Sequence, residues 1–195
     1  MYVATLNGQL VALDAATGKL AWQRTFADVR AGESATLAPL VVSSGAEYGV
    51  RGHIDAFDLA TGAHAWRHYN VPKPGERGSE SWQAAGSWER GGGSAWITGS
   101  FDPELNTLYW STGNPSPDFD GSVRPGDNLF TNSVVALDPD TGQQKWHFQF
   151  TPHDVWDYDA VSENILFDQS GRKLLAHFDK NGTSSSGESN QTLRR

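Results

Sequence analysis

Apolar and polar positions alternate with a period of two over short stretches of this chain, and turn residues end each stretch. Tyr2-Val3-Ala4-Thr5-Leu6 and Leu10-Val11-Ala12-Leu13 flank Asn7-Gly8, which predicts a β-hairpin. The alternation then runs into an eleven-residue phrase, Ala-(Leu/Phe)-Asp-x-x-Thr-Gly-x-x-x-Trp, written at 12–22, 56–66 and 136–146. Within it Val11, Leu13 and the positions matching them are expected to face a core. Asp14 and Thr17 can bond turn backbone, and Gly18 can take a positive φ. Trp22 would open the returning strand, where a large flat ring can wedge one sheet against the next.

The aspartates of the phrase, Asp14, Asp58 and Asp138, are 44 and 80 residues apart. The second gap is two units of about 40, the spacing of a propeller blade with one four-stranded sheet per repeat. The 195 residues hold fewer than five such units, and Met1–Leu10 reads as the middle of a repeat. The fold expected is therefore all-β, about four blades of a larger propeller, in a piece of a longer protein that starts after its first blade. No charged n-region with an apolar stretch behind it and no membrane-length apolar run occurs in these residues.

A net charge of −8 argues against nucleic acid as a partner, because phosphate binding wants a basic face. With no cysteine, thiolate chemistry, Cys-ligated zinc and disulfides are excluded within these residues. The repeat accounts for Trp22, Trp66 and Trp146 of the eight tryptophans and leaves five to explain.

Between the second and third repeats come two glycine- and proline-rich segments, Pro72–Gly78 and Glu89–Trp96. Ile97–Ser100 and Thr107–Thr112 read as a strand pair. The polar stretch from Asn114 to Asn128 is too long for a simple turn, and long loops in compact domains are commonly functional. Ala38–Gly45 reads as a strand that enters a loop with its partner strand missing. The tail from Thr183 to Arg195 shows no strand period and reads as disordered or frameshifted.

Three loops concentrate reactive side chains. Ser43–Gly52 sets Glu47 among glycines, Ser111–Pro115 ends a strand on Asn114, and Thr151–Asp159 holds three acids, a histidine and two aromatics. A propeller gathers such loops at one face. Glu47, Asn114 and one of Asp154, Asp157 or Asp159 could then offer hard oxygen ligands to one cation.

These segments resemble the pyrroloquinoline quinone (PQQ) dependent alcohol dehydrogenases, the quinoprotein relatives of methanol dehydrogenase. The matching text is Gly45-Ala46-Glu47-Tyr48-Gly49-Val50-Arg51-Gly52, Gly91-Gly92-Gly93-Ser94-Ala95-Trp96, Tyr109-Trp110-Ser111-Thr112-Gly113-Asn114-Pro115 and Thr151-Pro152-His153-Asp154-Val155-Trp156-Asp157. The resemblance covers residues 1–182 and leaves 183–195 unmatched. It implies an eight-bladed propeller, of which this chain holds about half, and oxidation of an alcohol to an aldehyde. By resemblance Glu47 and Asn114 bind the metal that also holds PQQ, and Asp157 is the catalytic base beside it. Trp96 stacks on the quinone, Ser94, Ser44 and Thr36 contact it, and Lys180 reaches its reactive oxygens. Asp159, two after the base, matches the second aspartate of the lanthanide-using members; calcium members tend to a small or uncharged residue there. The resemblance further implies a cytochrome c or quinone electron acceptor and a periplasmic location. The adjacent cysteines of many members are absent, and a strand of about seven residues expected between Val42 and Ser43 is missing.

His153, Asp154 and Arg51 are expected to be structural, and Tyr48, Trp82, Trp88 and Trp110 to serve packing. Two other readings compete with the enzyme: a non-catalytic propeller scaffold built from the same tryptophan phrase, and an inactive truncated gene product. A scaffold has no reason to keep Glu47, Trp96, Asn114 and Asp157 together.

Overall fold

The computed structural model describes residues 1–5, 7–28, 30, 35–36, 41–44 and 49–190, with 35–36 and 41–44 described as backbone. Four antiparallel sheets follow one another along the chain. The first holds β1 (Tyr2–Thr5), β2 (Gln9–Leu13) and β3 (Leu20–Thr25), and the second β4 (Ala35–Thr36), β5 (Val41–Ser44), β6 (His53–Phe57) and β7 (His64–Tyr69). The third holds β8 (Ser100–Asp102), β9 (Thr107–Ser111), β10 (Ser133–Leu137) and β11 (Gln144–Gln149). The fourth holds β12 (Ile165–Gln169), β13 (Arg172–Phe178) and β14 (Ser184–Glu188). Among the described residues there is no α-helix, only three short 3₁₀ turns. This is the all-β blade architecture expected from the repeat.

The three copies of the phrase do the same work. Asp14 Oδ1 accepts from the Thr17 N–H and hydroxyl, both at 2.7 Å, and Asp58 and Asp138 hold Thr61 and Thr141 likewise. Gly18, Gly62 and Gly142 sit at φ +69°, +68° and +71°, where a side chain is strained. Each tryptophan then reaches into the next sheet. The indole N–H of Trp22 donates to the Leu59 carbonyl at 3.2 Å, that of Trp66 to Pro139 at 2.8 Å, and that of Trp146 to Ser189 at 3.2 Å. Trp22 and Trp66 also lie on the turn glycines Gly62 and Gly142, leaving no room for a Cβ. The three rings occupy matching places, as a propeller requires.

Several expectations need correction. In β2 the buried residues are Leu10 and Ala12, while Val11 and Leu13 are half-buried. The place matching Val11 in the second copy is a charged residue, Asp55. In β6 and β10 every residue is buried, because these sheets are covered on both faces. Val41–Ser44, the described part of Ala38–Gly45, does not lack a partner: β5 pairs with β4 on one side and β6 on the other. β8 starts at Ser100 rather than Ile97, since Gly99 is pressed against Trp110, where a Cβ would lie 2.5 Å from the ring. The tail is not without structure either. Ser184–Glu188 pairs along β13, and the Ser189 carbonyl accepts the Tyr109 hydroxyl at 2.7 Å as well as Trp146. Ladder hydrogen bonds use backbone groups that every serine carries, so an apolar-poor stretch can still complete a sheet.

Asp55 shows what full burial demands. Its carboxylate is held by Arg67 through two bonds of 2.7 and 2.6 Å and by His64 at 3.0 Å. Burial pushes its carboxyl up, but Arg67, His53 and His64 more than reverse this, holding it well below the usual carboxylate range. Stability from a depressed acid is present above the unfolded value near 4 and is lost as pH falls through the folded one. Asp55→Ala leaves Arg67 without its partner and is expected to cost about 3 kcal/mol, measured by urea unfolding at pH 7. A loss below about 1 kcal/mol would show the pair to be dispensable.

Candidate active site

Antiparallel connectivity decides where the loops go. In a four-stranded sheet the turn between the second and third strands and the link leaving the fourth strand emerge at the same end. The β5–β6, β7–β8, β9–β10, β11–β12 and β13–β14 connections therefore share one end. The three Asp-x-x-Thr-Gly turns lie at the other. Ser94, Trp96, Asn114, Asp157, Asp159 and Lys180 all belong to the first set of loops.

Glycines let these loops interlock. Gly92, at φ +74°, bridges Arg51 on one side and Pro115 on the other, and its N–H donates to the Val50 carbonyl at 3.0 Å. The Gly93 N–H donates to the Asn114 carbonyl at 2.9 Å, and the Gly113 N–H to the Ser94 carbonyl at 2.6 Å. A Cβ on Gly92 would meet the Asn114 oxygen and the Ser116 nitrogen, each at 2.8 Å. The run Gly91-Gly92-Gly93 is thus the seam that sets Ser94 and Trp96 against Asn114.

At Gly113 the site closes up. A Cβ there would lie 2.7 Å from the Trp96 ring and 2.9 Å from Asp159 Oδ1, so ring and carboxylate flank the same bare backbone. Asp159 Oδ1 accepts the Asn114 N–H at 3.1 Å. Lys180 Nζ lies 3.1 Å from Asp157 Oδ2 and 3.2 Å from Asp159 Oδ2. Asn114, Asp157, Asp159, Lys180 and Trp96 are therefore together. Ser94 is buried beside them. Thr36 and Ser44 lie in β4 and β5, pairing with Ser43 and Ala35 by backbone, and their side chains fall outside the described residues, as does Glu47.

Asn114 Oδ1 and Asp157 Oδ1 in this cluster are buried without a hydrogen-bond partner, as are Asp118 Oδ1 and both carboxylate oxygens of Asp179. Buried polar atoms left this way ask for an ion, a ligand or water. Among the described residues no three or more His, Cys, Asp or Glu side chains form a metal-ligating group by themselves. The available set is mixed, an amide oxygen beside carboxylates, all hard donors of the kind that calcium-sized cations take. Burial pushes the Asp159 carboxyl up to about 6, against the pull of the Asn114 N–H and Lys180. Asp157 holds its place with φ +62°, a left-handed backbone forced by the tight loop around Asp154. Asp154 accepts from the Trp156 and Tyr158 N–H groups at 2.9 and 2.8 Å and from Asn132 Nδ2 at 2.7 Å.

His153 and Arg51 are structural as expected: His153 Nδ1 meets the Gly126 carbonyl at 2.8 Å, and Arg51 spans Val71 and Glu76 at 2.6 and 2.8 Å. Trp82 and Trp110 are core. Trp156 stacks on Tyr158 and stays largely exposed. Sequence reading missed two acids. Burial pushes the Asp118 carboxyl up, and Asp179, just before Lys180, is buried and pushed up to about 7 by that burial. Asp118 stands in a polar loop of unremarkable text, but the Asp179-Lys180-Asn181-Gly182 turn was a signal available to sequence reading. A cleft of about 760 Å³ opens beside Asp118, lined in part by Arg90, Phe119 and Arg124.

Residues 29–182 match the family described as "PQQ: Glucose/ethanol/alcohol dehydrogenase, beta-propeller domain". The chain belongs to the PQQ-dependent alcohol dehydrogenase family. Among its relatives, the quinohemoprotein alcohol dehydrogenase of Comamonas testosteroni is 45% identical over 93% of this chain and 29% of its own length. The lanthanide-dependent methanol dehydrogenase of Methylacidiphilum fumariolicum is 40% identical over 93% of this chain and 34% of its own. The solved europium-containing methanol dehydrogenase superposes with a TM-score of 0.88 at 34% identity, covering 98% of this chain and 38% of that one. The chain thus spans about a third of the length of the curated relatives it matches. BamB of Moraxella catarrhalis, at 18% identity and a TM-score of 0.55, shares the fold alone.

Proposed function

We propose that this chain supplies one flank of the site at which a PQQ-dependent alcohol dehydrogenase oxidises an alcohol to an aldehyde. The observation that carries the reading is the convergence of Asn114, Asp157, Asp159 and Lys180 beside the Trp96 ring, with oxygens of Asn114 and Asp157 buried and bare. Glu47, Asn114, Asp157 and Asp159 would hold a calcium or lanthanide ion. Trp96, Ser94, Ser44, Thr36 and Lys180 would hold the quinone. PQQ, when bound against a metal, supplies an electrophilic carbon that takes the hydride of the alcohol.

The residues of this chain do the rest. Asp157 accepts the hydroxyl proton of the alcohol as the general base. Lys180, at 3.1 Å, keeps that carboxylate oriented and offsets the negative charge it shares with Asp159. Trp96 gives a flat apolar platform that excludes water from one side. The electron acceptor would be cytochrome c or a quinone, in the periplasm, with the remaining blades of a full-length protein completing the site.

Asp159 favours a trivalent ion, because one more anionic oxygen stabilises the higher charge at nearly the same radius. The test is alcohol oxidation by a protein in which this segment sits in a complete propeller, assayed with calcium and with lanthanum. Lanthanum is expected to support the higher rate, and Asp159→Ala to lower that rate by about 10-fold or more, in line with losing a ligand group. Equal activity with both ions, unchanged by Asp159→Ala, would contradict it. The 195-residue chain alone is expected to bind PQQ far more weakly than that protein in equilibrium dialysis, since contacts from the other blades are missing; tight, metal-dependent binding by the isolated chain would refute this.

A further inference from the structure

The Lys180 side chain is half exposed, and ion pairs this close to water contribute little against the rotamer freedom of a lysine. For its ammonium to stay 3.1 Å from Asp157 and 3.2 Å from Asp159, the backbone carrying it must be fixed against the loop carrying them. That backbone is the turn between β13 and β14. Within it the Asp179 N–H donates to the Thr183 carbonyl at 2.9 Å and the Gly182 N–H to the Asp179 carbonyl at 3.0 Å. Asn181 closes the turn further, its Oδ1 accepting the Thr183 N–H at 2.8 Å and the Thr183 hydroxyl at 2.7 Å. A backbone N–H only donates, so the oxygen is fixed there and the NH₂ has one direction left. It leaves the turn and donates to Thr151 Oγ1 at 2.9 Å. Thr151 is buried and begins the stretch 151–159 that holds Asp157 and Asp159. Among the described residues, this bond and the two of Lys180 are the side-chain hydrogen bonds between the turn and that stretch.

We infer that Asn181 is a positioning residue: it docks its turn on Thr151, so that the Lys180 ammonium stands between Asp157 and Asp159. The inference rests on the part proposed above for these three groups at the quinone and the cation. The two ends of the Asn181 amide have separate tasks. Its oxygen shapes its own turn, as asparagine does in many loops, while its NH₂ holds a neighbouring loop. What passes between the loops is place and not charge, since Asn181 and Thr151 are both neutral.

Exchange of the Lys180 ammonium hydrogens with water, followed by NMR on this chain, reads how firmly the ammonium is held without cofactor, metal or activity. Thr151→Val keeps the shape of the side chain and removes the acceptor. It is expected to speed the exchange about 2–5-fold, the change in open population when a weak ion pair loses its support. Asn181→Ala is expected to do at least as much. Thr151→Ser keeps the hydroxyl and is expected to leave the exchange near its starting rate. Lys145 is the control, because its ammonium is held by the Leu105 and Asn106 carbonyls and Thr107 Oγ1 at 3.2, 2.6 and 2.8 Å, and it should not change. Unchanged Lys180 exchange in Thr151→Val would overturn the inference. Equal acceleration in Thr151→Ser, or at Lys145, would overturn it too, by making the effect one of general stability. In a complete propeller Thr151→Val is expected to lower kcat for the alcohol about tenfold or more, as a small misplacement of a reacting group does. If Lys180 is loosened and this rate does not move, the docking by Asn181 stands and the proposed part of Lys180 in the reaction fails.

Discussion

Replacing Asp157 by asparagine is expected to lower alcohol oxidation by about 10²–10⁴-fold, the range a positioned general base contributes. The substitution is chosen to leave the fold alone. Asp157 sits at φ +62°, a conformation asparagine adopts as readily as aspartate, and its side chain is not a partner of the Asp154 network that shapes the loop. What changes is proton-accepting capacity: an amide cannot take the hydroxyl proton. Lys180 would also lose one of its two carboxylate partners and keep Asp159. Steady-state rates with PQQ and metal in a protein with all its blades, alongside thermal unfolding, separate chemistry from folding. Activity within about tenfold of the unaltered enzyme, with folding intact, would remove Asp157 from the role of base.

The second large effect is on stability. Trp66→Ala is expected to cost about 3–5 kcal/mol, as truncation of a buried aromatic does. Its ring belongs to one core cluster with Ile54, Leu108, Trp110 and Val135, covers Gly142, and donates to the Pro139 carbonyl at 2.8 Å. Removal leaves a cavity between two sheets and an unanswered turn carbonyl. For a domain of this size the midpoint of thermal unfolding should fall by roughly 6–20 °C. Trp22→Ala, at the matching place of a half-buried ring, should cost less, because less area leaves water there. Equal losses at the two positions would mean that the sheets are not held by the repeat in the way their geometry indicates.

Much of this architecture was legible because its cause is local. Asp14, Thr17 and Gly18 form their turn from their own side chains and backbone, so three copies of the phrase predict three copies of the turn. Burial was harder to read. Whether Leu10 or Val11 faces the core depends on which side of a sheet its neighbours cover, and Asp55 could be placed inside only because Arg67 answers it across the strand pair. Ser184–Glu188 was missed for a related reason: backbone pairing to β13 leaves no mark in side-chain hydropathy.

The site divides the same way. Trp96, Asn114 and Asp157 stood out through the motifs around them, and loop topology brings them to one end. Asp118 had no such signal.

The measurement that bears most directly on the account is anomalous diffraction from crystals of this chain soaked in terbium. The expected result is one strong peak beside Gly113, with Asn114 Oδ1 and carboxylate oxygens of Asp157 and Asp159 at about 2.3–2.6 Å, the distances of a calcium-sized ion. A peak elsewhere, or full occupancy of another site while Asn114 Oδ1 remains bare, would contradict it.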